Sequence, residues 1–181
     1  MNINKFGTDL RGCAKSAAET LREAVNVTAE PEESWGMRQE PQMVSETYFL
    51  LRKKGYAVEE LYLEYYYWKG KNDNKKRMEA DLVFKDGTST HVVEFKVFWD
   101  GDLNQDGTLK PPAQEKIKKE YGKLRNYSSL GEVSKLSLVA AFLGPDELYR
   151  QKIFHKSVLE SFDGHTGFKG VRGQIINIIP C

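Results

Sequence analysis

The sequence of 181 residues lacks the features that mark secreted, membrane or disulfide-bonded proteins. It has only two cysteines, Cys13 and Cys181, and their distant positions exclude a disulfide scaffold and a paired-cysteine zinc site. Such sparse cysteine usage favours a reducing, cytoplasmic compartment. Neither a signal-peptide core nor an apolar run of ~18 residues is present, so we expect no association with a membrane.

The chain also lacks an excess of charge of either sign. Its 27 Lys and Arg residues are balanced by 26 Asp and Glu residues, so a nucleic-acid partner can be predicted only from local clusters. What is present is a hydrophobic fraction of 40% and a charged fraction of 29%, which is typical of a globular protein. A chain of this length is expected to fold around one core.

Three segments are predicted within this single domain, residues 1–181. Thr8 can cap an amphipathic helix that belongs to residues 1–27. Residues 28–41 contain two prolines and four glutamates without a hydrophobic period, which is typical of an acidic connector. We therefore expect the core to occupy residues 42–181.

The core is predicted to contain both helices and strands. A helix that Gly55 can close precedes a three-stranded meander, whose strands are rich in aromatic and β-branched residues. The order of the elements predicts an α/β fold, in which a mixed β-sheet, made of the meander and further strands, is flanked by helices. The predicted strands are residues 57–68, 78–84, 90–98, 135–144 and 174–180. The later helices are residues 113–127, with an apolar stripe of Ala113, Ile117, Tyr121, Leu124 and Tyr127, and residues 145–162.

Charged residues interrupt two strands of the meander. Asp81 lies in the second strand, and Glu94 and Lys96 lie two residues apart in the third, so both point to the same face of the sheet. Charged groups in so apolar a strand cost several kcal/mol if they lack partners. A buried ion pair is the structural interpretation of these residues, and a functional site is the other.

Pairing of the two strands would bring Asp81 close to Glu94. Two carboxylates held together repel each other unless a proton or a cation lies between them. Ligands that are all oxygen atoms select a hard cation such as Mg²⁺ or Mn²⁺. Lys96 beside them could position an attacking water or stabilise negative charge on phosphorus.

These residues resemble the motif of the PD-(D/E)XK nuclease superfamily, which has the restriction-endonuclease-like fold. The match is Asp81 on one strand, followed by Glu94, Phe95 and Lys96 on the next, with Ala80 where the motif is named for proline. The order of elements over residues 42–144 is also similar to the family core. The resemblance implies a Mg²⁺-dependent or Mn²⁺-dependent nuclease that hydrolyses phosphodiester bonds, with DNA as a more frequent substrate than RNA.

The resemblance also implies roles for individual residues. Asp81, Glu94 and the carbonyl of Phe95 would bind the metal, and Lys96 would be catalytic. The family often adds an acid from the helix before the meander, and Glu46 is the matching catalytic candidate. Glu64 in the first strand is a second candidate, and a surface acid is the structural interpretation of each.

Two basic clusters are candidates for contact with nucleic-acid phosphates. One lies in the turn between the first two strands, and the other lies along one face of the helix of residues 113–127. Lysine-rich loops and helix faces also occur for solubility alone. The candidate residues are Lys75, Lys76, Arg77, Lys116, Lys119 and Lys123.

Other interpretations of the chain remain open at this point. A binding module with a nuclease-like fold could use the same residues without cleavage. Symmetric cutting of a duplex would require a homodimer, for which the sequence gives no interface. Residues 102–107 match the first half of a calcium loop, although Ala113 stands where its last acidic ligand is expected.

Overall fold

The computed structural model describes residues 3–27, 39–69, 76–143, 148–160 and 176–179. Within them the chain forms four α-helices and five β-strands, with a short 3₁₀ turn between the third strand and the third helix. The helices are α1 (Ile3–Val27), α2 (Gln39–Lys53), α3 (Pro111–Tyr127) and α4 (Leu148–Glu160). The strands are β1 (Leu61–Lys69), β2 (Lys76–Asp86), β3 (Ser89–Phe98), β4 (Val133–Phe142) and β5 (Ile176–Ile179).

The strands form one mixed sheet in the order β1-β2-β3-β4-β5. The first three strands are an antiparallel meander, and β4 and β5 continue the sheet in parallel pairing. A two-residue turn joins β2 to β3, and its Gly87 has a φ of 55°, which glycine adopts at little cost. Parallel pairing needs a crossover, and α3 supplies it between β3 and β4. The fold is therefore the predicted α/β arrangement of a mixed sheet flanked by helices.

The helices cover both faces of the sheet. Apolar residues of α1 and α2 pack against one face together with the strand residues Val93 and Phe95. Residues of α3 and α4 pack against the other face together with Val92 and Phe98. Because β4 is covered on both sides, it is apolar over most of its length, as its sequence predicts. The alternation along β3 decides which face each of its polar side chains reaches.

Most of the predicted elements are confirmed, including the meander, α3, β4 and the end of α2. Gly55 follows α2 with a φ of 93°, as expected of the glycine that closes a helix. Two boundaries are wrong. The first helix begins at Ile3, so Thr8 lies inside it, and α2 begins at Gln39, inside the expected connector of residues 28–41.

The division between an opening helix and a later core also needs correction. Phe6, Leu10, Cys13 and Ala17 of α1 are buried in the same layer as α2. They recur at helical spacing, so one stripe of α1 faces the sheet. The hydrophobic core therefore includes residues from before position 42. None of the helices in the described parts of the chain is long and apolar enough to span a bilayer.

A buried histidine lies under α1 on the side of the sheet that α1 and α2 cover. His91 is 2% exposed, its ring packs edge-on against Phe6, and its Nε2 lies 2.8 Å from the Ser137 hydroxyl. Burial, with a contribution from the charge of Lys135, lowers the pKa of His91 to about 3. The folded protein therefore keeps this ring neutral at pH values where the unfolded chain binds a proton.

We expect His91 to make the protein less stable as the pH falls below about 6.5, the pKa of an unfolded histidine. The free energy of unfolding should lose up to about 1.4 kcal/mol per pH unit from this group, because only the unfolded state takes up the proton. Urea denaturation of the wild type and of His91→Leu between about pH 7 and about pH 4 measures this. The variant should show the shallower pH dependence, and parallel curves would contradict the assignment.

Candidate metal centre and acidic cleft

The candidate site lies where β2 and β3 separate. Their pairing ends at Leu82 and Val93, whereas β2 continues beside β1 and β3 continues beside β4. The backbone N–H of Phe95 therefore has no partner on β2, and it donates to the Asp81 carboxylate instead, at 2.7 Å. This hydrogen bond satisfies a buried amide and fixes the Asp81 side chain between the strands.

On the β1 side of Asp81, Glu64 has an unusual backbone conformation. Leu63 pairs with Leu82 and Tyr65 with Ala80, and Glu64 between them has a φ of 48°. A positive φ at a residue other than glycine costs about 1–3 kcal/mol and is common at functional sites. Glu64 borders an open cleft of about 660 Å³. The polar residues that line the cleft are Glu64, Arg77, Glu79, Asp81, Lys123, Asn126 and Tyr127.

Glu94 lies behind Asp81 and has no exposed side-chain surface. Its Oε2 lies 3.5 Å from the Lys123 ammonium, and among the described residues its Oε1 forms no hydrogen bond of good geometry, although the Tyr127 hydroxyl and the Asp81 carboxylate lie close by. A buried carboxylate oxygen without a partner is costly and rare in folded proteins. A proton shared with Asp81, or a cation, would remove this cost.

Burial makes both carboxylates harder to ionise. Burial and the adjacent charge of Asp81 raise the pKa of Glu94 to about 9. Burial also raises the pKa of Asp81, although the Phe95 amide acts in the opposite direction. A divalent cation between them would displace a proton and neutralise both carboxylates.

Lys96 lies between two acids on the same side of the sheet as Glu94. Its ammonium is 2.8 Å from Glu40 of α2 and 3.2 Å from Glu120 of α3. Burial alone would lower the pKa of Lys96, but Glu120 and Glu40 raise it above its ordinary value. Lys96 is therefore a fixed cation, with 17% of its side chain exposed.

A second lysine enters the cluster from α3. The Lys123 ammonium is 2.8 Å from Glu120 and 3.5 Å from Glu94, and Lys123 also lines the cleft. Burial opposes its charge, yet Glu94 and Glu120 raise the pKa of Lys123. We call Glu40, Lys96, Glu120, Lys123, Glu94 and Asp81 the charged cluster.

Asp81 and Glu94 are the residues of the charged cluster that could hold a cation. In the described parts of the chain, no three His, Cys, Asp or Glu side chains converge as a metal-binding group. Asp81 and Glu94 form a pair, since Glu40 and Glu120 are held by lysines. Mg²⁺ is commonly bound through one or two carboxylates and retains several waters, so this pair suits it.

The acid that α2 contributes to the charged cluster is Glu40, whereas the sequence predicted Glu46. Glu46 lies further along α2, in a shallow depression that it shares with Thr20 and Leu21 of α1. Glu40, one and a half helical turns earlier, is the acid that reaches Lys96. The sequence did not indicate Glu40, because it lies in the segment interpreted as a connector.

The predicted stripe of α3 also needs one correction. Glu120 is buried and Tyr121 is only partly buried, the reverse of the expectation from hydrophobicity. Burial of Glu120 is tolerated because two lysine ammonium groups contact its carboxylate. Glu120 and Lys123 are thus site residues whose roles sequence reasoning missed.

The residues of the first predicted basic cluster differ in what the structure shows of them. Lys75 lies outside the described residues, and Lys76 is placed only as the first residue of β2. Arg77 lines the cleft, with its guanidinium 4.0 Å from the centre of the Tyr66 ring. Its position allows contact with a polymer that enters the cleft.

The lysines of α3 do not form one free surface. Lys123 belongs to the charged cluster, and Lys116 forms an ion pair with Asp102 at 2.9 Å. Lys119 is exposed to solvent. Two of the three lysines thus face carboxylates of the protein, and contact of Lys116, Lys119 and Lys123 with phosphates stays a prediction.

Residues 102–107, which match the first half of a calcium loop, form hydrogen bonds within the protein. Asp102 accepts the Trp99 amide and the Lys116 ammonium, and Asp106 accepts both the amide and the hydroxyl of Thr108. The Asn104 side chain donates to the same hydroxyl. These contacts organise a polar turn before α3, and they account for the acidic and amide side chains.

Comparison with known proteins gives no relative. No protein-family model, curated protein or solved structure matches this chain. The chemistry of the charged cluster and its cleft is therefore what bears on function.

We expect Glu120 to be the acid on which the stability of the charged cluster depends most. Glu120→Gln should lower the free energy of unfolding by about 3 kcal/mol, because two cations lose the buried carboxylate that they share. Glu40→Gln should cost about 1 kcal/mol or less, since Glu40 is one-third exposed. Urea denaturation measures both effects.

Glu115→Gln is the matched control for these variants. It removes an exposed acid of α3 that pairs only at the surface, with Lys118 at 3.0 Å. Stability should stay at the wild-type value. Equal losses for Glu115 and Glu120 would contradict the role given to the charged cluster.

Proposed function

We propose that this protein is a divalent-metal-dependent nuclease of the restriction-endonuclease-like fold. The observation that carries the proposal is the pair Asp81 and Glu94, two adjacent carboxylates beside a fixed lysine. Glu94 is fully buried, whereas Asp81 is partly buried and lines the open cleft. Adjacent carboxylates with Mg²⁺ or Mn²⁺ are a common solution to phosphodiester hydrolysis.

The chain supplies the metal ligands in this proposal. Asp81 and Glu94 would hold Mg²⁺ or Mn²⁺, and the carbonyl of Phe95 is the third ligand that the sequence motif implies. The bound cation would lower the pKa of an attacking water and neutralise charge on the scissile phosphate. Asp81 is already oriented by the Phe95 amide, so little reorganisation accompanies binding.

Lys96 acts as the catalytic cation. Glu40 and Glu120 hold its ammonium from two sides, which keeps it charged and restricts its position. From there it donates a hydrogen bond to the attacking water or to a phosphate oxygen as negative charge develops. Glu40 and Glu120 are positioning residues, because they act through Lys96.

The substrate class follows from the cleft. Arg77 lines it beside Glu79, at 3.4 Å, and the other N–H groups of its guanidinium can donate to phosphate oxygens. DNA is the proposed substrate ahead of RNA, on the strength of the motif. Cutting of both strands of a duplex would require two copies of the site, so a homodimer belongs to that form of the proposal.

A non-cleaving module with the same fold is the second candidate. The observation in its favour is that Lys123 already lies 3.5 Å from Glu94 and partly neutralises the position that a metal would take. In that case the charged cluster would be a structural ion network. Binding of nucleic acid without metal-dependent cleavage would identify this candidate.

We expect Glu94→Gln and Lys96→Met to reduce cleavage at least about a hundredfold, because each removes a group that acts on the reacting atoms. The assay incubates purified protein with circular and linear DNA and with RNA, with Mg²⁺, with Mn²⁺ or with a chelator. Asp81→Asn should lose cleavage and also bind Mn²⁺ more weakly in calorimetry.

Lys118→Met is the control for Lys96→Met. It removes a lysine that lies on the exposed side of α3 and pairs with Glu115 alone. Its cleavage rate should equal that of the wild type. Full activity of Glu94→Gln or Lys96→Met would contradict the assigned site, and absence of cleavage in every metal condition would favour the second candidate.

The position of Lys123 makes a separate prediction about metal affinity. Removal of its charge should strengthen Mn²⁺ binding several-fold, because the ammonium competes with the cation for Glu94. Calorimetry with Lys123→Met measures this effect, and Lys119→Met, which changes an exposed lysine of the same helix, is the control. Unchanged affinity in Lys123→Met would contradict direct competition.

A further inference from the structure

A second cavity lies on the opposite side of the sheet from the acidic cleft. It has a volume of about 510 Å³ and is formed by α1 together with residues of β3 and β4. Its polar lining includes Thr8, Arg11, Lys15, His91, Lys135 and Ser137. Nothing in the proposed nuclease reaction uses these residues.

The alternation of side chains along β3 separates the two sites. His91 lies three residues before Glu94, so the two side chains point to opposite faces. His91 packs against Phe6 of α1, whereas Glu94 contacts Lys123 of α3. The cavity under α1 is thus a site of its own.

The charged residues that line this cavity, among those the structure describes, are all positive. Arg11, Lys15 and Lys135 line it, and none of the described residues that line it is an Asp or a Glu. Lys135 donates to the side-chain oxygen of Asn4, which is neutral, and Glu19 is 3.7 Å from Lys15 at the exposed surface. Three cations around one cavity repel each other, and an anion between them would remove that cost.

The His91 ring lines the cavity although it is almost fully buried. Its Nε2 lies 2.8 Å from the Ser137 hydroxyl, whereas its Nδ1 has no hydrogen-bond partner among the described residues. In the tautomer that carries the proton on Nδ1, this buried donor is unpaired, which is costly.

Two glycines of α1 keep the cavity open. Gly7 and Gly12 line it, although glycine inside a helix costs about 1 kcal/mol relative to alanine. A Cβ at Gly7 would lie 4.0 Å from the His91 ring, and a Cβ at Gly12 would meet no atom within 4 Å. A larger residue at Gly12 would therefore fill space in the cavity without a clash.

We infer that this cavity binds a phosphate group, held by the cations that line it, Arg11, Lys15 and Lys135. Arg and Lys give charge-assisted hydrogen bonds to phosphate oxygens, and Thr8 adds a hydroxyl donor. The phosphate belongs either to a free phosphorylated small molecule or to the backbone of a nucleic acid. The inference stands apart from the proposed nuclease activity, because the site lies across the sheet from the charged cluster.

The test is calorimetric titration of the full-length protein with inorganic phosphate at low salt. The wild type should bind saturably, and the double variant Arg11→Gln with Lys135→Gln should bind at least about tenfold more weakly, through loss of two charge-assisted contacts. Lys5→Gln is the matched control, because it removes an exposed cation of the same helix that does not line the cavity. Its affinity should remain that of the wild type.

A second variant separates binding from folding. Gly12→Leu should abolish phosphate binding by filling the cavity, while the melting temperature stays equal or rises, since a helical glycine is removed. Absence of saturable binding by the wild type would overturn the inference. Equal weakening by Lys5→Gln would also overturn it, because it would indicate a diffuse effect of surface charge.

The source of the phosphate is identified by competition. If a short DNA oligonucleotide abolishes the heat of phosphate binding, the site takes a phosphate of the nucleic-acid backbone. If the heat is unchanged, the ligand is a free phosphorylated molecule. Repeating the titration with Glu94→Gln distinguishes the two proposals, because phosphate binding should persist in a variant that cannot cleave.

Discussion

The hydrogen bond from the Phe95 amide to Asp81 is the contact on which the geometry of the acidic cleft depends. A sheet cannot open in its interior without leaving backbone groups unsatisfied, and each such group costs about 1–3 kcal/mol. Asp81 removes this cost at the point where β2 leaves β3. The same side chain that permits the strands to separate is thereby fixed beside Glu94, so the opening and its acidic pair have one cause.

The electrostatics of the site follow from that opening. Burial of Asp81 and Glu94 is unfavourable alone, and the surrounding charges compensate for it in an alternating order. Lys96 lies between Glu40 and Glu120, and Lys123 lies between Glu120 and Glu94. Each lysine is shared by two acids, so a change at one position is transmitted to the next. The alternation ends at Glu94 and Asp81, and because four acids face only two lysines, the ionised cluster is short of two positive charges or protons.

The parts of the site that sequence could predict lie on two adjacent strands of the meander. Period-two alternation in an apolar segment places Glu94 and Lys96 on a common face, and pairing of the two strands brings Asp81 close to Glu94. Glu40 and Glu120 could not be found so, because their positions depend on Lys96, which is distant in sequence. Helical periodicity assigned the buried position to Tyr121, since hydrophobicity alone takes no account of a carboxylate that two lysines neutralise. The acidic composition of residues 28–41 is typical of a connector, so the first turn of α2, which begins at Gln39, was not predicted.

Strand β3 contributes residues to two sites of opposite charge, which lie on the two covered faces of the sheet. His91 and Glu94 are three residues apart on β3, yet a layer of packed side chains lies on each side of the sheet. A ligand phosphate in the basic cavity is therefore separated from the acidic pair by the packed sheet. The cavity under α1 is consequently not a subsite of the cleft, and any link between them must pass through a nucleic acid long enough to reach around the edge of the sheet.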